Sequence, residues 1–148
     1  MGIRRQAREA ALKLLYAADM TRTKVSEVYT ASWAVTGAPQ EARDFTAALL
    51  DGVTTYGQEI DDLIQSCSMH WSLERIGVVE RNILRFAICE LLYMPDIPPK
   101  VTINEAVEVA KKYGAEEASI FVNGILDRVK SDMMSKEPVS LASASPSP

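Results

Sequence analysis

At 148 residues and 47% apolar composition, the chain is long enough to bury a core as one domain, or as two small subdomains sharing one. Sixteen Lys and Arg stand against 20 Asp and Glu, a net charge of −4 that speaks against indiscriminate polyanion binding. No apolar run approaches the roughly 20 residues that span a bilayer, and Lys13 interrupts the stretch that could serve as a signal peptide, so the expected location is cytoplasmic.

The charge is unevenly placed. Residues 1–24 hold six cations and two anions, a balance of +4, while the remainder carries −8. A local basic patch on an acidic body suits a site for one polyanion. The patch falls on the first predicted helix, "RRQAREAALKLLYAA". At about 100° per residue, Ala7, Ala10, Ala11, Leu14, Leu15 and Ala18 form one apolar arc. Arg4, Arg5 and Arg8 fall together on the adjoining flank, with Tyr16 near the azimuth of Arg5. The helix is expected to bury alanine and leucine and to leave three guanidinium groups and a phenol in solvent.

The periodicity stays helical along the chain. A second helix is predicted over "KVSEVYTASWAV", with Val25, Val28, Tyr29 and Ser32 or Trp33 inward; Gly37 and Pro39 end it. A long amphipathic stretch from Glu41 to Cys67 carries Phe45, Leu49, Val53, Ile60, Leu63 and Ile64, with Gly52 and Gly57 as points of bending or close helix contact. "LERIGVVERNILRFAICELLYM" is apolar over more than half its circumference and should be central, ended by Pro95, Pro98 and Pro99. In "VTINEAVEVAKKYG", Thr102 and Glu105 read as a capping box and Gly114 as a left-handed stop. The last helix, "EEASIFVNGILDRVKSDMM", has Phe121, Val122, Ile125, Leu126, Val129 and Met133 on its apolar arc, and Gly124 is explained by a close helix crossing. The expected fold is all-α, with small helical bundles at 1–67 and 68–134 packed across each other, and a disordered Ser/Ala/Pro tail at 135–148.

Catalytic chemistry finds little support. His70 has no companion nucleophile in a recognisable motif, and no glycine loop cradles phosphate, so neither an enzyme nor a cofactor is expected. Cys67 and His70 have ligand-like spacing but no second pair, so no metal site is assigned; Cys67 and Cys89 read as buried free thiols.

Arginines with an aromatic on one flank suit single-stranded RNA, because a guanidinium fork grips phosphate and a phenol ring stacks on a base. Three such contacts make a weak site, so a helper partner is implied. On that reading, Arg4→Ala/Arg8→Ala weakens RNA binding without unfolding the protein. Glu80 and Glu90 fall inside the apolar arc of the central helix. Each is either a buried carboxylate satisfied by an arginine or by backbone amides, or, for Glu80, a group facing a basic partner. Ile120 lies off the apolar arc of its helix beside Phe121 and marks a candidate contact surface.

Taken together, "RRQAREAALKLLY", "WSLERIGVVERNILRFAICELL", "IPPKVTINEAVEVAKKYG" and "FVNGILD" resemble the NusB family of bacterial transcription antitermination factors, over nearly the whole chain to about residue 134. The resemblance implies two helical bundles set across each other. It implies binding, with the small-subunit ribosomal protein NusE, to the boxA element of nascent RNA. It further implies loading onto RNA polymerase with other Nus factors to suppress termination on ribosomal RNA operons, and a possible homodimer. It carries RNA contact to Arg4, Arg5, Arg8, Tyr16 and Phe121, and makes Glu80 and Glu117 candidates for the RNA or NusE side. Gln6 stands where some relatives have arginine and Ile120 where they often have lysine, which implies a weaker phosphate grip. Two other roles stay open: a protein-binding helical adaptor, and a detached RNA-positioning module of the kind joined to ribosomal RNA cytosine methyltransferases.

Overall fold

Helix α4 (Val78–Tyr93) is the axis of the fold because it is apolar over more than half its circumference. Ile83, Leu84, Phe86, Ala87 and Ile88 are all fully buried, which leaves it little face to give to water. Five helices pack on it: α1 (Ile3–Thr21), α2 (Gln40–Thr55), α3 (Gly57–Ser68), α5 (Pro99–Tyr113) and α6 (Ala118–Ala144). The structure, a computed structural model, describes residues 2–29, 38–68 and 72–144, without the side chains of 134–144. Among the described residues it is all-α, as the periodicity predicts. Residues 25–29 are helical too, and Val25, Val28 and Tyr29 rest against the core. Ser32, Trp33 and His70 lie outside the described residues.

One buried cluster runs from Leu12 and Leu15 on α1 through Leu49, Ile60 and Phe86 to Val109 and Leu126. The pairs α1–α2 and α5–α6 both pack against α4, around this one core. Burial of this continuous apolar surface is the dominant favourable term in such a fold.

Local details depart from the periodicity. The stretch from Glu41 to Cys67 is two helices, broken at Tyr56, whose N–H donates to the Gly52 carbonyl at 2.9 Å. Gly52 lies where α2 crosses α4; a Cβ there would overlap the Cys89 sulfur. Helix α5 starts at Pro99 with Pro98 as N-cap, because a proline at the first position lacks only an N–H that has no intrahelical partner. The Thr102–Glu105 capping box therefore does not form, and both side chains reach other helices instead. Gly114 is not left-handed (φ −92°, ψ 177°). Its constraint is space, since a Cβ would come 2.5 Å from the Ala118 Cβ and 2.9 Å from the Ala110 carbonyl oxygen. Gly124 makes no close crossing; it is exposed, and a Cβ there would meet nothing within 4 Å. Helix α6 continues past Met134, through most of the expected tail, to Ala144.

Candidate nucleic-acid interface

The three arginines of α1 have different fates. Arg8 is only 2% exposed. Its Nε donates to Glu90 Oε2 at 2.7 Å and its Nη2 to Glu90 Oε1 at 2.8 Å, while the Thr102 hydroxyl donates to Glu90 Oε1 at 2.8 Å. The expectation that Arg8 faces solvent is corrected: its guanidinium is inside the protein, where a charge needs a partner and has one. The sequence held the signal. On the helical wheel Arg8 lies between Leu15 and Leu12, about 20° from one and about 40° from the other. Leu12 is buried and extends the apolar arc across Arg8. Glu90, by contrast, matches its reading as a buried carboxylate satisfied by an arginine.

Arg5 lies half in solvent but is not idle. Its Nε and Nη2 each donate to Glu105 at 2.8 Å, with side-chain exposures of 38% and 22% for Arg5 and Glu105. The Arg5 hydrogen bonds, against some burial, hold the Glu105 carboxyl below its ordinary range. Arg4 is exposed, its guanidinium carbon 4.7 Å from the centre of the Phe45 ring, and Arg8 lies 5.4 Å from the same ring. Arg4, Arg5, Arg8, Asp96, Val101 and Glu105 line a cleft of about 330 Å³ at this end of α1.

Further along α1, Lys112 Nζ donates to Glu9 at 3.0 Å and the Tyr113 hydroxyl at 2.8 Å. Burial pushes the Glu9 carboxyl up, but these two bonds and the Lys112 and Lys13 charges outweigh it and hold it low. Tyr16 is 39% exposed, as expected, and lies about 18 Å along the axis from Arg4. Gln6, Lys13, Tyr16 and Met20 form the solvent strip of the helix. Lys13 was not among the candidates, although it stands one turn before Tyr16. At the far end, Asp19 accepts from Arg81, Asn82 and Arg85, and Arg85 also grips Asp61 at 2.9 and 3.1 Å. Burial raises the Asp19 carboxyl, but bonds from Asn82 and Arg81 and the charges of Arg81 and Arg85 bring it below its usual range.

The remaining candidates lie at the start of α4 and in and just before the first turns of α6. Glu80 is half-buried at the start of α4, packed over Gly77, with Oε2 3.3 Å from where a Cβ on Gly114 would lie. Gly114 leads into α6, whose first turns expose Ile120 (73%) and Asn123, while Phe121 rests partly against the core. Glu117, just before α6, is exposed. Among the described residues no group of three His, Cys, Asp or Glu side chains is placed to hold a metal ion, and no helix is long and apolar enough to cross a membrane.

Comparison with known proteins places this architecture. The NusB family model matches residues 5–131. The transcription antitermination protein NusB of Myxococcus xanthus is 45% identical over 133 residues, covering 87% of this chain and 95% of its own. That of Syntrophus aciditrophicus is 44% identical over 124 residues, covering 84% and 77%. Among solved structures, T. maritima NusB is similar at 39% identity with a TM-score of 0.79, over 85% of this chain and 89% of that one. A crystal structure of the antitermination factors NusB and NusE in complex with dsRNA is similar at 29% identity and a TM-score of 0.81, over 89% and 98%. With the family pattern spanning most of its length, and relatives above 40% identity covering more than four-fifths of it, this chain belongs to the NusB family.

Proposed function

We propose that this chain is an RNA-binding antitermination factor that reads boxA-type single-stranded RNA together with ribosomal protein NusE. The complex then joins RNA polymerase and other Nus factors on ribosomal RNA operons. The observation that carries the reading is the outer surface of α1. Its Arg8–Glu90 anchor is buried, while Arg4, the outer edge of Arg5, Lys13 and Tyr16 stay accessible on one rigid element. Cations at one end and an aromatic further along suit a short unpaired strand laid along the helix, phosphates at the arginines and a base on the phenol. A solved relative that holds NusE and dsRNA supports the coarser partner classes, NusE and RNA.

In this reading Arg8 positions the helix and does not touch RNA. Glu80, Glu117, Ile120 and Phe121 are the groups offered to NusE or to an outer segment of the RNA. With few phosphates neutralised, the chain alone binds weakly and with a shallow salt dependence.

The test is a titration of labelled boxA-like RNA and a scrambled RNA of equal length, with and without NusE, across salt, with mass in solution measured in parallel. Preference for the boxA-like RNA that sharpens with NusE is the expected result. Tight NusE binding with no RNA preference in any condition would replace this reading with that of a protein-binding adaptor.

A further inference from the structure

Cations along the seam between the start of α1 and α5 each hold a carboxylate: Arg5 with Glu105, Lys112 with Glu9, and Lys111 with Glu108. The tightest of these is Arg5–Glu105, two parallel bonds of 2.8 Å. A fork gripping a carboxylate in this way has the geometry it would use on a phosphate. Glu105 also faces a second guanidinium, since Arg8 Nη1 lies 3.8 Å from Glu105 Oε1. Arg8 cannot follow a moving partner, because its Nε and Nη2 are fixed in the core by Glu90. The carboxylate therefore stands at the lip of the arginine-lined cleft, between one half-exposed and one buried cation.

We propose that Glu105 is a resident counter-anion that occupies the Arg5 fork until an RNA phosphate replaces it. The inference rests on the RNA-binding reading above and adds to it a residue that sets specificity. An open fork would take any phosphate. A fork already satisfied exchanges one anion for another, so the net gain is small unless the rest of the strand is in register with Tyr16 and the NusE side. The Glu105 charge also repels a polyanion that approaches out of register. Glu105 thus lowers affinity for all RNA and lowers it most for the wrong RNA.

Glu105→Gln keeps the shape and removes the charge. The expected result is tighter binding of both the boxA-like and the scrambled RNA by about three- to fivefold, the scale of releasing a partly exposed ion pair. The gain should be larger for the scrambled RNA, and the log–log salt slope steeper by about 0.7, because the site gains one net positive charge on losing the carboxylate. Arg5→Ala/Glu105→Gln should bind both RNAs more weakly than Glu105→Gln alone, and any gain over Arg5→Ala reports the lost Glu105 repulsion and not an opened fork. In the unmodified protein, the Arg5 Nε–H resonance should shift when RNA saturates the site, a reading that does not depend on how any variant folds. If Arg5→Ala weakens binding while folded Glu105→Gln leaves affinity and salt slope unchanged, or if the Arg5 resonance does not move, Glu105 is no competitor and the RNA site itself stands. If Arg4→Ala, Arg5→Ala and Glu105→Gln all bind like the parent, the RNA reading of this helix fails and this inference falls with it.

Discussion

Arg8 and Glu90, 82 positions apart in the chain, meet through two hydrogen bonds of 2.7 and 2.8 Å in a region closed to water. The pair ties α1 to the central helix, and the Thr102 hydroxyl on the same carboxylate draws in α5. Three helices are thus registered at the end of the molecule where Arg4 and Arg5 emerge. The surface of α1 proposed to meet RNA is fixed from within.

Arg8→Ala should therefore act on stability before it acts on RNA. It leaves Glu90 buried without its cation, a loss of about 3–5 kcal/mol, or roughly 10 °C in melting temperature. Arg8→Met/Glu90→Leu should recover most of that loss, since apolar pairs of similar volume replace buried ion pairs well. Circular dichroism melts of the two variants measure it. An Arg8→Ala protein that melts with the parent would show that the pair does not hold α1 in place. The combined Arg4→Ala/Arg8→Ala experiment is accordingly not a clean test of RNA contact.

Arg4→Ala and Tyr16→Ala separate binding from folding. Both side chains are exposed, so each variant should melt near the parent temperature. Tyr16→Ala should weaken RNA binding by about 1–3 kcal/mol, the contribution of one stacked base. Arg4→Ala should flatten the salt slope by about 0.7. Fluorescence anisotropy with NusE present reads both. Unchanged affinity for Tyr16→Ala would remove the stacking role.

Two glycines should respond in opposite directions. Gly52→Ala places a methyl group on the Cys89 sulfur at the α2–α4 crossing and should cost about 1–3 kcal/mol through overpacking. Gly124→Ala meets open space within α6 and should raise stability by up to about 1 kcal/mol. Equilibrium urea unfolding compares them directly. A destabilised Gly124→Ala would mean that its backbone position needs glycine for a reason other than space.

Acid sensitivity follows from three paired carboxylates. Asp19, Glu9 and Glu105 are all held below their ordinary values of 3.8, 4.5 and 4.5. A depressed carboxyl contributes stability that is complete above its unfolded value and fades as pH falls through its folded one. Stability should thus be flat from neutral pH to about 5 and drop below about pH 4. Asp19→Asn should lower the neutral plateau and shallow the acid limb. An acid limb of identical steepness in parent and variant would show that Asp19 does not contribute to it.

Cys89 should be inert in the folded protein. Burial, with the neighbouring Glu90 charge, pushes its thiol up to about 12, so at pH 8 roughly one molecule in ten thousand carries the reactive thiolate. Iodoacetamide followed by peptide mass spectrometry should find Cys89 unmodified in native protein and alkylated in urea. Labelling of native protein at Cys89 within minutes would mean that the α2–α4 crossing opens readily.

What could be read from the chain was whatever is local. The apolar spacing of Ala7, Ala11, Leu14, Leu15 and Ala18, and of Val122, Ile125, Leu126 and Val129, defines helical faces because residues three and four apart share one side of a helix. The spread of apolar residues over more than half the circumference of residues 78–93 marks the central helix for the same reason. What only the tertiary structure decided was the use of each polar group at a helix boundary or edge. Thr102 and Glu105 have the spacing of a cap, yet proline starts the helix earlier and frees them for Glu90 and Arg5. Arg8 and Arg5 are near neighbours in sequence and both arginines, but one is buried and the other half-exposed, because their partners come from helices more than eighty residues away. A side chain's periodicity states which way it leaves its own helix; only packing states what waits there.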